Sequence, residues 1–568
     1  MRRRVIVASL LAAALAGSAC GSSTKSSGKA SADLSGGGST IPIVAGGSAS
    51  TAAASATTSA GGAATTAAAA DAATTAGGSR AAVPNDRAYP PASAAASGGA
   101  ARPTIPAVPP YAPPSEPYPI AGPATRTVDD NRSTFALDVD TASYTLTRNY
   151  LDNGLLPDPS AVRTEEFVNF FVAGFPDATE RGLTIRADGS RVPFLASNHR
   201  VLRVGVQGQN VPAGDRKPAN LTFVIDTSGS MGEGNKLELV KSGLHRLVRS
   251  LGEQDTVEIV TFSSGARVVL ERTHASDSGE QRIDRVIDEL VPDASTNVQA
   301  GLDLGYRDAR AAFRRGAINR VVLATDGIAN VGATSADSLL ASVGEEAGKG
   351  IQMAAIGVGF GNYNDTLLEQ LADKGDGFYA YVDQVAEAER LFAERLTSTL
   401  QTVALDGKAE VRFNPSVVRS YRLLGYDDRA IPDGSLQDPT VGGGETGAGH
   451  VTTALYDIEL NDPEVRGSDV VATAMVHWTD PDITTGRDRS RDITVDDVSR
   501  SFDGAAPRLR LAVWTAAFAE RLRGGPWAGY VGLGRVRDGV DQVARDLDGD
   551  DDVAELGRLV STAAGLRD

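Results

Sequence analysis

The sequence predicts an α/β fold: a doubly wound, mostly parallel sheet, flanked by a β-sandwich-like region and C-terminal helices and led by a disordered N-terminal tether. Three observations predict it. From residue 220 to about 400, short apolar runs alternate with stretches of helical spacing, as strands buried on both faces and joined by crossover helices require. Strand-like runs without intervening helices follow, and a helical pattern ends the chain. Ahead of all this, Gly21 to about Pro123 is almost wholly Ala, Ser, Gly, Thr and Pro. Such a stretch buries too little apolar surface to offset the entropy of ordering it.

The first element is an export signal over 1–19. Met1–Arg4 is basic, Val5–Ala16 is apolar, and small residues precede Cys20. The apolar run falls short of the roughly 20 residues that a bilayer span needs. Gly17-Ser-Ala-Cys20 resembles a bacterial lipobox, with Gly17 where that family usually has an aliphatic residue. The resemblance implies a Cys20 that is diacylated and becomes the new N-terminus. The alternative is plain cleavage after Ala19, which leaves a free exported thiol open to oxidation. Cys20 is the single cysteine in 568 residues, so a disulfide framework and a cysteine-rich zinc site are excluded. The lipidated cysteine and linker span 20–124. A flexible chain of that order has an end-to-end distance of roughly 50–60 Å, enough to hold a folded body clear of lipid head groups. The net charge of −17 argues against a nucleic-acid partner.

Residues 125–217 read as an N-terminal extension. Phe135, Leu137 and Val139 alternate with Asp138 and Asp140, giving a half-buried strand. The expected role of Asp140 is to cap a helix starting at Thr141, with Asp138 solvated; an acid–base pair or a calcium site is the rival role. Phe167, Val168, Phe170 and Phe171 form an apolar helix face suited to a core. Arg200–Val206 reads as a strand that joins the later sandwich, making the central region an insertion.

The central region, 218–402, opens with the strand Leu221-Thr-Phe-Val-Ile225. Leu237, Val240, Leu244, Leu247, Val248 and Leu251 then mark a helix, Val257–Phe262 a strand, and Ile283, Val286, Ile287 and Leu290 a helix. A helix over Val298–Phe313 leads to the strand Arg320–Ala324. A helix near Ser335–Gly348, the strand Ile351–Ile356, a helix near Thr366–Lys374 and a last strand and helix ending near Leu400 complete it. Ligands of such sheets bind beyond the carboxyl ends of the strands. Polar residues cluster there: Asp226-Thr-Ser-Gly-Ser230 after the first strand, Ser295-Thr296-Asn297 before a helix, and Thr325-Asp326-Gly327 after a later strand. Every side-chain donor is an oxygen, which suits Mg²⁺ or Mn²⁺ and disfavours zinc. Taken singly these are ordinary caps and turns. Their combination on one sheet points to a metal.

Asp226-Thr-Ser-Gly-Ser230, Thr296 and Thr325-Asp326-Gly327 resemble the metal-ion-dependent adhesion site of von Willebrand factor type A domains. The resemblance spans roughly Asn220 to Leu400. It implies that Ser228, Ser230 and Thr296 contact the metal directly. Asp226 and Asp326 then act mainly through water, and a partner protein's carboxylate takes the remaining position. The flanking segments Ser133–Tyr144, Val162–Phe171, Tyr421–Ala430 and Gly444–His450 resemble an exported bacterial lipoprotein family. Its members carry an A domain between an N-terminal extension and a C-terminal domain.

Residues 403–500 read as a β-rich domain with strands at Ala409–Phe413, Tyr421–Leu424, Val451–Leu460, Val470–Trp478 and Asp492–Val495. Residues 501–568 are helical, with Leu509, Ala512, Val513, Ala516 and Phe518 as a packed face. Glu445 and His450 sit in a Gly-rich loop and read as turn chemistry, with metal ligation as the rival role. Asp546–Asp552 departs from a calcium loop, with Asp551 where glycine belongs and Gly557 where the final glutamate belongs. It reads as a solvated inter-helix turn.

These readings converge on a non-enzymatic, exported lipoprotein on the extracytoplasmic face of the cell membrane, binding a protein partner through a divalent cation. The alternatives are an envelope assembly scaffold with a purely structural metal, or a hydrolase using Asp138, Asp140 or His450.

Overall fold

The computed structural model describes residues 123–568 except 138–139, 294, 328–335, 360–364, 393–400, 428, 466 and 568. The signal segment, Cys20, nearly all of the linker, and Asp138 lie outside the described residues. Before the α/β region come β1 (Thr125–Arg126), β2 (Arg132–Ala136), α1 (Ala142–Asp152), α2 (Thr164–Phe170), β3 (Leu183–Arg191) and β4 (His199–Gly208). The α/β region holds β5 (Ala219–Asp226), α3 (Lys236–Val248), β6 (Thr256–Phe262), β7 (Ala266–His274), α4 (Asp277–Asp288) and α5 (Val298–Ala311). It continues with β8 (Ile318–Thr325), α6 (Ala336–Ala347), β9 (Gln352–Val358), α7 (Asp365–Lys374), β10 (Phe378–Val382) and α8 (Val385–Arg390). Then follow β11 (Thr402–Phe413), β12 (Val418–Leu424), β13 (Gly444–Gly447), β14 (Val451–Leu460), β15 (Val470–Asp480) and β16 (Thr485–Thr494). The last helices are α9 (Pro507–Arg523), α10 (Leu533–Asp546) and α11 (Asp551–Arg567).

The central sheet has the order β10-β9-β8-β5-β6-β7, parallel throughout except for the antiparallel edge pair β6–β7. β5 lies in its interior and is buried along its whole length, which accounts for its apolar run. Two further sheets, β1-β12-β14-β4-β3 and β13-β11-β15-β16 with β2 beside β11, are antiparallel. Strands from before the α/β region pair with strands from after it: β4 with β14, and β2 with β11. The extension therefore completes its sheets with the C-terminal strands. The β-rich core holds Phe135, Leu202, Val411, Tyr456 and Trp478.

Helix α1 is buried nearly all round, and helical spacing divides it between two cores. Ala142, Leu146 and Tyr150, each four residues apart, pack with Leu339, Leu371, Tyr379 and Tyr381 of the α/β region. Tyr144 and Leu151, seven apart, join Phe167, Phe170, Trp514, Phe518 and Val560 in the core shared with α9–α11. Tyr144 stacks on Phe170 with ring centroids 4.0 Å apart.

Asp140 does not cap α1. Its Oδ1 accepts from the Tyr379 amide at 3.0 Å, and its Oδ2 accepts from Arg429 Nη2 at 3.0 Å. The opposing guanidinium and the β10 backbone are stronger partners for a buried carboxylate than a local turn. Glu166 of α2 does the capping, accepting from Ser143 N at 2.8 Å. Residues 444–447, expected as turn, instead form β13 against β11, so Glu445 lies on a strand. The Asp546–Asp552 segment is the turn between α10 and α11, with Asp550 held by Arg508 at 2.6 Å and Asp546 by Arg510 at 2.5 Å.

The buried Arg148 guanidinium of α1 closes the assembly. Its Nε reaches Asp383 Oδ2 at 3.0 Å, its Nη2 reaches Asp383 Oδ1, and its Nη1 reaches Glu555 Oε1 of α11 at 3.0 Å. Arg163 and Arg429 make a second bridge, both pairing with Glu369 of α7 at 3.2 Å. Removing one partner of a buried pair strands the rest without solvent. Arg148→Met should accordingly lower unfolding stability by about 3–5 kcal/mol in urea titrations. Arg148→Lys should recover only part of that loss, because an ammonium cannot fork across both Asp383 oxygens.

Candidate metal centre

β5 and β8 are parallel neighbours, so their carboxyl ends carry Asp226 and Asp326 to the same edge of the sheet. Asp226 is fully buried. Its Oδ2 accepts from Thr325 Oγ1 at 2.6 Å, and its Oδ1 accepts from Ser228 N at 2.8 Å. Ser228, the residue before a 3₁₀ stretch at Gly229–Asn235, makes no side-chain cap bond there. Its hydroxyl lies 3.1 Å from that of Ser230, and Ser230 Oγ donates to Asp326 Oδ1 at 3.0 Å. Asp326 is 6% exposed and Ser228 1%, whereas Ser230 is open to solvent. The cluster is a buried acidic base with a hydroxyl at its mouth.

Four of the five expected residues, Asp226, Ser228, Ser230 and Asp326, are thus joined by hydrogen bonds. Thr296 is half-buried, just before α5, which Asn297 caps by accepting from Ala300 N at 3.1 Å. Its loop is held against the first turn by the Asp293 amide, which donates to Thr227 O. Thr296 itself makes no hydrogen bond to another described residue.

The donor chemistry fits a small, hard cation. Ser228, Ser230 and Asp326 offer oxygens within hydrogen-bond distance of one another, the donor type that Mg²⁺ and Mn²⁺ prefer. With just two carboxylates, the set relies on hydroxyls; among the described residues no group of three or more His, Cys, Asp or Glu could hold a metal. Glu445 accepts from Gln352 Nε2, and in the Asp546–Asp552 turn Asp546 and Asp550 are paired with Arg510 and Arg508. Asp140, 2% exposed and paired with Arg429, is not placed to meet a solvent-borne substrate.

One charged group escaped the sequence reading. Lys236, at the start of α3, is buried and donates from Nζ to Asp326 Oδ2 at 2.7 Å. It lies on the helix stripe of Val240, Leu244 and Leu247. A cation on an apolar stripe signals a buried anion, and that signal was available.

Three family models match: "von Willebrand factor" over residues 119–203, "von Willebrand factor type A domain" over 220–394, and "Uncharacterized protein YfbK, C-terminal" over 398–566. "Uncharacterized protein YfbK" of Escherichia coli (strain K12) is 32% identical over 470 residues, covering 78% of this chain and 80% of its own. The chain belongs to the YfbK family. Like that relative, it joins a von Willebrand factor type A domain to a YfbK-type C-terminal region. Inter-alpha-trypsin inhibitor heavy chain H3 of Homo sapiens is 29% identical over 178 residues, 30% of this chain and 20% of its own. E3 ubiquitin-protein ligase WAV3 of Arabidopsis thaliana is 25% identical over 393 residues, 65% and 49%. Among solved structures, a von Willebrand factor type A protein from Catenulispora acidiphila is 16% identical. It covers 69% of this chain and 88% of its own, with a TM-score of 0.38. Domains of this type often mediate protein–protein interaction and commonly bind a divalent metal.

Burial raises the Asp226 carboxyl to about 6, against the opposing pull of the Thr325 hydroxyl and the Ser228 amide. Without a cation, folding then favours its protonated form. The associated stability is complete below the unfolded value near 3.8 and is lost as pH rises through about 6. Asp226→Asn, which cannot ionise, should therefore gain on wild type between pH 4 and 6 in EDTA, by about 3 kcal/mol at most. The difference should then level off above pH 7. Parallel denaturation curves would read this; a difference that does not change with pH would contradict the burial argument.

Proposed function

We propose that the protein is an exported receptor, anchored in the cell membrane through a lipidated Cys20, that captures a partner protein through a divalent cation. Mg²⁺ or Mn²⁺ is held by Asp226, Ser228, Ser230, Thr296 and Asp326, and the partner offers a carboxylate to it. One observation carries this reading: the fold joins Asp226, Ser228, Ser230 and Asp326 in one hydrogen-bonded oxygen cluster that opens to solvent at Ser230. A cation resting on two buried carboxylates and neutral hydroxyls keeps appetite for an outside anion. Among the described residues no helix is long and apolar enough to cross a membrane, so on this reading attachment falls to the lipid at Cys20. The region from 20 to 124 is the tether that presents the body.

A scaffold reading draws support from the Arg148 and Arg163–Arg429 bridges, which tie the A domain to its flanks. Crosslinking in the native cell separates the two. Wild type should yield a partner adduct that disappears with EDTA and with Asp226→Ala, while circular dichroism stays native-like. An adduct that survives both treatments rejects capture through the metal and favours the scaffold. Growth with a labelled fatty acid should label wild type and leave Cys20→Ser unlabelled.

A further inference from the structure

The two carboxylates of the centre differ in their supports. Asp226 is held by neutral donors, the Thr325 hydroxyl and the Ser228 amide. Asp326 is held on one oxygen by the Ser230 hydroxyl and on the other by a full positive charge, the Lys236 ammonium. Lys236 is 5% exposed, and lysine is almost never buried without a specific anion. The fold makes room for it. Gly359, which follows β9 with φ +74°, lies against the lysine stem, and a Cβ there would come within 2.4 Å of Lys236 Cγ and 2.8 Å of its Cδ and Cε. Backbone bonds fix Gly359 in place: its amide donates to Val382 O at 2.9 Å and its carbonyl accepts from Tyr381 Oη at 2.8 Å.

We propose that Lys236 is a resident counter-ion that sets the affinity of the centre for a divalent cation. It is a positioning residue: it fixes Asp326 so that Oδ1 alone faces the serine hydroxyls, and its charge lowers the negative charge available to an incoming cation. The two carboxylates bring two negative charges and the lysine cancels one. A divalent ion therefore meets an under-compensated site and gains from a further carboxylate. The inference rests on the metal reading of the same residues and deepens it by naming what keeps the centre weak in the absence of a partner.

Charge and hydrogen bonding can be separated with two variants of the full chain. Lys236→Gln keeps a donor toward Asp326 without the charge, and Lys236→Met removes both. Mn²⁺ binding is measured by titration calorimetry, and melting is followed with and without Mn²⁺, purifying the variants in Mn²⁺ if they are unstable without it. If the charge sets the affinity, both variants bind Mn²⁺ at least ten-fold more tightly than wild type. Both also melt earlier than wild type in EDTA, with the loss recovered when Mn²⁺ is added. Wild-type affinity in Lys236→Gln with weaker binding in Lys236→Met would show that the lysine only orients Asp326, and would overturn the proposal. Absence of Mn²⁺ binding by all three proteins would overturn the metal reading itself, and this inference with it.

Discussion

The Arg148 guanidinium, buried among Asp383, Glu387 and Glu555, is the contact on which the rest of the body depends. It belongs to a helix of the N-terminal extension, its nearest carboxylates to the A domain, and its third partner to the last helix of the chain. Taking these charges out of water is costly, and the cost is met by a fork that engages both Asp383 oxygens and by dense apolar packing on either side. Tyr144 and Leu151 on one face and Ala142, Leu146 and Tyr150 on the other give that packing. Because strands from before and after the A domain share sheets, the three sequence regions fold as interlocked parts.

The central α/β pattern was legible because strands buried on both faces leave little choice of residue. β5 and β8 are apolar runs followed by acids, and the sequence reading placed each strand within two residues of its observed ends. What escaped was set by tertiary context. β7 carries Arg267, Glu271 and Arg272 on an edge, so its composition does not announce a strand. β3 ends in Asp188-Gly-Ser-Arg191 and is held as a strand by pairing with β4. Asp140 looked like a cap because its partners, Tyr379 and Arg429, lie 239 and 289 residues away. Lys236 was not singled out, and its anion, Asp326, is 90 residues distant.

One rule of solvation accounts for both the frame and the centre: a charge withdrawn from water must find another. In the frame, Arg148, Arg163 and Arg429 each meet carboxylates from a different segment, so the rule enforces assembly. At the centre, Asp326 meets Lys236, while Asp226 meets only neutral groups and is left with a raised affinity for a proton. The frame's buried carboxylates Asp383, Glu369 and Asp140 each face an arginine, whereas Asp226 faces none. That difference separates a charge-paired joint from a buried acid without a counter-ion.

The insertion of the A domain has a mechanical consequence. Its chain enters through Lys217 and leaves through Gln401, and the Lys217 amide donates to Gln401 Oε1 at 3.1 Å. Entry and exit are therefore side by side. β5 starts beside this junction and ends at Asp226, in the candidate site. A pull applied at that end of the domain would reach the sandwich through two covalent connections loaded together, with the Arg148 and Glu369 pairs bracing them. A domain strung in line on a single linker would carry the same force on one strand of chain.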